Sequence, residues 1–232
     1  MSATTRFSLL FGYLGDDGHR DELFGWVLRW WQANFPDVQT CTGRNFDSPF
    51  HRGKARNDAA TWAERDLLII ADADTVPEAG AVREGLEMVA ENRAPWVIPY
   101  GQLSYYNLTE DFTREFIKLR PEDTQLPVFE EDDWDHQLTA WAGVLILPKI
   151  AFQAVGGYDE RFIGWGGEDN AFQLALDKMV GTHARVNGSV AHLWHPRGDA
   201  SFEQPHWPHN EALLRRYRNA RTTEQMREVF NG

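Results

Sequence analysis

Five apolar residues, Leu67-Leu68-Ile69-Ile70-Ala71, run without a break into Asp72-Ala73-Asp74. A continuous apolar run of this length reads as a strand covered on both faces, and helices are what cover such strands. The flanking segments supply them. Phe7 to Tyr13 is a short apolar strand. Residues 21–35 carry Leu23, Val27, Trp30 and Trp31 at helical spacing, and Pro36 stops them. Residues 57–64 predict another helix, and Pro77 is placed to open a further one with Ala81, Val82, Leu86 and Val89 on its apolar face. Trp96 to Pro99 reads as a strand, as does the apolar stretch from Leu138 through Trp141, Ala142, Gly143 and Val144 to Leu147. Residues 169–180 form an amphipathic helix with Phe172, Leu176, Met179 and Val180 on one side. A last helical segment, about 209–229, is rich in arginine and carries Leu213, Leu214 and Tyr217. This alternation predicts an α/β fold with helices on the faces of a sheet. With no repeat and no linker, residues 1–232 are expected to form one domain.

Charge and cysteine content narrow the chemistry. A formal net charge of −12 argues against a nucleic-acid binder, whose affinity comes from Lys and Arg on phosphates. An acidic chain can still hold a nucleotide when a divalent cation neutralises its phosphates. The lone Cys41 excludes an internal disulfide and a cysteine-based metal site, which points to a reducing compartment. The N-terminus reads as a strand and not a signal peptide, and no apolar run reaches the roughly 18 residues of a membrane span. A cytoplasmic protein is the expectation. Ten tryptophans and fourteen phenylalanines are enough to fill a core and leave some rings for sugar or base faces. Residues 101–135, with Tyr105, Tyr106 and the acidic run Glu130 to Asp135, read as a solvated loop, with an acceptor-side lid as the alternative.

Three constellations carry chemistry. Asp72 and Asp74 stand at the carboxyl end of a buried strand, where open α/β sheets bind ligands. Two carboxylates so placed can hold Mg²⁺ or Mn²⁺ together with a ribose hydroxyl. The second is Gly156-Gly157-Tyr158-Asp159-Glu160-Arg161-Phe162-Ile163-Gly164-Trp165-Gly166-Gly167-Glu168-Asp169. Its glycines permit a mobile loop. The following helix N-terminus fixes the two carboxylates and favours their ionised form, suited to a general base; simple capping is the alternative role. The third is Ala191-His192-Leu193-Trp194-His195-Pro196, followed by Arg197-Gly198-Asp199. Histidines three apart point to opposite faces of a regular strand, so both can bind one ion only if the chain turns there. His195 is the stronger candidate ligand.

Residues 156–172 resemble the C-terminal motif of the β-1,4-galactosyltransferases and polypeptide N-acetylgalactosaminyltransferases, which carry a similar Gly-Trp-Gly-Gly-Glu segment followed by Asp or Asn. Other pieces fall in the same order, from about residue 7 to 196. Phe7 to Arg20, with Phe11, Tyr13 and Arg20, looks like the wall of a nucleotide base pocket. His51 to Asn57, with Arg52, Arg56 and Asn57, looks like the segment before the nucleotide-facing helix. Trp141-Ala142-Gly143-Val144 takes the place of the strand before the acidic helix. The resemblance implies a single-domain GT-A fold with a mostly parallel central sheet, a nucleotide-diphosphate sugar donor, most consistent with UDP, and Mn²⁺ or Mg²⁺ as cofactor. It implies Asp74, His195, His192 and Asp72 as metal ligands, with Asp72 also available to the ribose. Asp169 takes the place of the catalytic base of an inverting transferase. Glu168 would bind donor or acceptor hydroxyls, and Trp165 on Gly166-Gly167 would close over the sugar. The acceptor, a glycan, protein or small molecule, does not carry over. Alternatives are a retaining transferase of the same fold, a metal-dependent phosphoesterase built on Asp72, Asp74, His192 and His195, and a non-catalytic nucleotide-sugar or carbohydrate-binding module.

Overall fold

The protein is described by a computed structural model covering residues 6–47, 49–138, 143–196 and 204–232. Trp141 and Ala142, and the run Arg197-Gly198-Asp199, lie outside the described residues. The first half of the chain forms β1 (Ser8–Gly12), α1 (His19–Asn34), β2 (Gln39–Gly43), α2 (Arg52–Thr61), β3 (Leu67–Ala71), β4 (Thr75–Pro77), α3 (Ala79–Ala90) and β5 (Val97–Ile98). Next come β6 (Tyr105–Leu108), α4 (Glu110–Phe116), β7 (Trp134–Leu138), β8 (Val144–Pro148) and α5 (Lys149–Ala154). The chain continues through α6 (Glu168–Met179), β9 (Ala184–Arg185), β10 (Val190–His192), α7 (Trp207–Asn219) and α8 (Thr223–Asn231).

Six strands form the main sheet in the order β2-β1-β3-β8-β5-β9. It is parallel except for β8, which runs antiparallel to β3 and β5. Leu9, Leu10, Leu68 and Ile69 are fully buried along β1 and β3, so these strands are covered on both faces as their unbroken apolar sequence requires. Each such side chain contributes about 1.5–3 kcal/mol. The tryptophans of α1 belong to the core. Trp26 Nε1 donates to the Leu119 carbonyl at 3.0 Å and Trp30 Nε1 to that of Thr124 at 3.1 Å, so two indoles fasten the following segment while they fill space.

A second sheet, β4-β10-β6-β7, replaces the expected loop over 101–135. The elements there are short, which hides their periodicity. Helix α4 spans seven residues, capped by Thr109, whose hydroxyl accepts from the Phe112 amide at 3.2 Å. Its Phe116 packs 5.1 Å from Trp26, and Phe129 stands 4.9 Å from Tyr106. The acidic run is partly structural: Glu130 and Asp133 form a capping box on a 3-10 turn.

Four further boundaries differ from expectation. Pro77 ends β4 instead of opening a helix, which an edge strand tolerates because proline has no amide to offer the ladder. Helix α2 begins at Arg52, five residues before the expected start, and contains Gly53, an unfavourable helix residue. A Cβ there would stand 3.1 Å from that of Tyr158, so close packing accounts for the glycine. The segment 209–229 is two helices, α7 and α8, because Thr222 caps α8 reciprocally with Gln225. Strand β2, a polar edge with no apolar alternation, has no counterpart in the sequence pattern. Gly43 at its end lets α2 approach: a Cβ would fall 1.8 Å from the Ala55 carbonyl oxygen. Among the described residues no helix is long and apolar enough to cross a membrane.

Candidate active site

Beyond Ala71 the chain turns sharply. The Asp72 amide donates to the Gly143 carbonyl at 2.9 Å, and the Thr75 hydroxyl donates to the Asp72 and Gly143 carbonyls at 3.0 and 3.1 Å. That turn passes the chain into β4, and the Leu193 amide donates to the Asp74 carbonyl at 2.8 Å, docking Asp74 against the end of β10. His192 is the last residue of β10. Leaving the strand there allows His195, at an odd offset, to reach the same place. His192 Nε2 lies 3.5 Å from Asp74 Oδ1 and His195 Nε2 lies 3.2 Å from Asp74 Oδ2. The ligand atoms of all three residues lie within 4.8 Å of one another. Burial would raise the Asp74 carboxyl, but His192 and His195 hold it well below the usual carboxylate range. Its hydrogen bond to Asp74 pushes the His195 imidazole up. Two imidazoles and a carboxylate on a half-buried edge fit a divalent metal ion. Arg20 Nη2 stands 3.9 Å from Asp74 Oδ2 at the rim.

The other side of the site is built on the glycine-rich segment. Gly164, Gly166 and Gly167 all have positive φ, and Gly167 at φ 97° is the N-cap of α6. Glu168 is buried, accepts from the Gly166 amide at 3.0 Å and lies 3.5 Å from Arg52 Nε. Asp169 Oδ1 accepts from Arg56 Nη1 at 2.6 Å, and Arg56 Nη2 donates to Asp72 Oδ1. The Tyr158 ring covers one face of that guanidinium, 4.9 Å from centroid to Cζ. Burial opposes the Arg56 charge, but Asp169, Tyr158, Asp72 and Glu168 together keep it firmly cationic. A helix N-terminus by itself would keep Asp169 ionised, as expected. Instead burial pushes it up to about 7, with Arg56 pulling down and Glu168 and Asp72 pushing up.

The remaining candidates take varied positions. Phe11 is fully buried and packs edge-on against Phe24 at 5.2 Å, so its ring belongs to the core and not to a base pocket. Tyr13 is also buried, lies 4.1 Å from Phe24 and donates to Asp21. Asn57 spends its amide on the backbone of Tyr158 and on Glu160, tying α2 to the glycine-rich segment. Asp72 stands apart from the histidine cluster, paired with Arg56. Gly143, at φ 100°, faces Tyr105, whose ring stacks 5.9 Å from His192. The Trp165 loop has an anchor that the sequence did not reveal. Asn210 on α7, fully buried, accepts from the Ile163 amide at 3.0 Å and donates to the Ile163 and Trp165 carbonyls at 2.9 and 3.2 Å. Gln204 donates to the same Trp165 carbonyl, and Trp165 packs 6.0 Å from Trp207. No local pattern marks Asn210, because its partners lie more than forty positions away.

Comparison with known proteins places this geometry. A family model described as the N-terminal domain of galactosyltransferase matches residues 129–197, which include the glycine-rich segment and both histidines. Validoxylamine A glucosyltransferase from Streptomyces hygroscopicus subsp. jinggangensis is 30% identical over 146 residues, covering 53% of this chain and 34% of that protein. The chain thus spans about a third of the length of the curated relatives it matches. Among solved structures, the catalytic domain of Drosophila β1,4-galactosyltransferase 7 in complex with xylobiose aligns over 94% of this chain and 83% of its own, with a TM-score of 0.52 at 14% identity. S. aureus TarS aligns over 97% and 69%, with a TM-score of 0.54 at 10% identity. GalNAc-T7 with UDP, GalNAc and Mn²⁺ aligns over 98% and 48%, with a TM-score of 0.52 at 15% identity. The fold is GT-A, and the resemblance carried by residues 156–172 stands.

Proposed function

We propose that the chain is a metal-dependent glycosyltransferase domain that moves a sugar from a UDP-sugar to an acceptor hydroxyl with inversion, Asp169 acting as general base. One observation carries this reading. A line of contacts runs from the Asp74 and His195 side chains, through the Asp72 turn, to Arg56 and on to Asp169. On this reading the diphosphate site and the base share one edge of the sheet.

Asp74, His192 and His195 would hold the ion. When bound, it supplies positive charge to the diphosphate leaving group. Asp72 commits Oδ1 to Arg56 and keeps Oδ2 to accept from a ribose hydroxyl. Glu168, buried and fixed by the Gly166 amide and Arg52, holds the glycine-rich loop in place, and Trp165 covers the sugar against water. The acceptor oxygen attacks the anomeric carbon from the face opposite the diphosphate. As the new C–O bond forms, the bond to the diphosphate oxygen breaks and Asp169 takes the hydroxyl proton. A group that titrates near 7 is ionised often enough to receive that proton and basic enough to want it.

The test is product stereochemistry. The protein with Mn²⁺ is given UDP-glucose or UDP-galactose and an acceptor panel, and the anomeric configuration is read by NMR. A β-linked product from these α-linked donors supports the reading. An α-linked product would assign the retaining alternative, and hydrolysis of simple phosphate esters without sugar transfer would favour a phosphoesterase.

A further inference from the structure

Arg56 is 2% exposed and lies where two carboxylates from distant parts of the chain converge, one after β3 and one opening α6. Each gives the guanidinium only its Oδ1, and among the described residues no donor takes either Oδ2. The Tyr158 ring fixes the guanidinium plane, and Tyr158 itself stacks on Phe172 of α6 at 4.1 Å and 13°. A planar fork clamped this way dictates the direction of both carboxylates. A lysine would bring a similar charge with no such geometry.

We propose that Arg56 is a positioning residue for the transfer, setting the direction of the free oxygen of Asp169 and tying it to Asp72. This rests on the transferase reading and deepens it. The titratable and charged groups that act electrostatically on Asp169 or feel its charge are Arg56 and Arg52 from α2, Glu168 beside it on α6, Asp72 after β3, and Tyr100, Tyr105 and Tyr158. Among the described residues only Arg56 makes a charged hydrogen bond to it. Removing the fork leaves Asp169 among like charges with its direction unset. Replacing it by lysine keeps the charge and loses the aim.

The experiment is a ¹³C NMR titration of the full chain labelled at aspartate carboxyl carbons, with the Asp169 signal assigned from Asp169→Asn. In the native protein Asp169 should titrate near 7. In Arg56→Gln the midpoint should rise by roughly 1–3 pH units, the usual influence of a lost adjacent cation. In Arg56→Lys it should rise less, while kcat for transfer stays low and KM for the UDP-sugar stays near native. If Arg56→Gln does not fold, Asp72→Asn serves instead: it leaves the fork to Asp169 alone and should lower the midpoint. An Asp169 midpoint unchanged in the folded variants would overturn the proposal, as would native kcat in Arg56→Lys. UDP with Mn²⁺ is added to the native protein as a separate control. No spectral response to it would refute the donor reading while the titration still judges Arg56.

Discussion

Asp74 and Asp169 are carboxylates of similar burial, 13% and 16% exposed, linked through the Asp72 turn and Arg56, yet their surroundings drive them in opposite directions. At the histidine side Asp74 has two imidazoles within 3.5 Å of separate oxygens, which hold it well below the usual carboxylate range. At the arginine side Asp169 has one guanidinium, shared with Asp72, and Glu168 next to it. Burial alone would raise both, so the ratio of cations to anions in contact decides. The lesson is a division of labour. On the proposed function, one side keeps negative charge for an ion, and the other leaves a carboxylate, pushed up to about 7, that can exchange a proton.

The sharpest way to break this division is Asp169→Asn. Transfer should fall about 10²–10⁴-fold, while binding of UDP with Mn²⁺ is retained. Equal loss of both would mean that the two sides are not separable. In the native protein the same assignment makes transfer rise with pH through about 7, since the base works only when ionised. A profile flat from pH 5 to 8 would move the base elsewhere. Next in size is Arg56→Leu, which leaves two partly buried carboxylates without their shared, fully buried counter-ion. It should cost about 3–5 kcal/mol in urea unfolding. A loss below about 1 kcal/mol would show that water already screens the pair. Smallest is Asn210→Ala, which takes the side-chain partner from the Ile163 amide and carbonyl while Gln204 still holds the Trp165 carbonyl. A loss of about 1–3 kcal/mol is expected, with weakened sugar positioning, and unchanged stability would mean that α7 does not anchor the loop.

The two sides were not equally legible. The histidine side is written in short runs: an apolar strand ending in Asp72-Ala73-Asp74, and His192 and His195 three apart. Only the turn that brings both rings to Asp74 needed the structure. At the arginine side Gly164 to Asp169 stands out in the sequence, and Arg56 was already among the expected donor-side residues. Its bridging of Asp72 to Asp169 was not readable, because a lone arginine in Ala55-Arg56-Asn57 carries no sign of partners on β3 and α6. The same holds for Asn210. Phe11 and Tyr13 show the opposite failure, since rings on a first strand look alike whether they line a pocket or fill a core. The second sheet escaped notice because its strands and α4 are too short to show a period. The apolar strands β1 and β3 and the helix spacing of α1 and α3 were plain for the converse reason.

The most direct test of the division of labour is thermal unfolding of the native protein and of Asp74→Ala with UDP, in Mn²⁺ or in chelator. At about 100 times its dissociation constant a ligand adds roughly 2.7 kcal/mol, a rise of roughly 5–10 °C for a chain of this size. The account predicts that rise for the native protein with UDP and Mn²⁺ together, and its loss both in chelator and in Asp74→Ala. A shift that survives chelation or the substitution, or no shift with any of these, would contradict it.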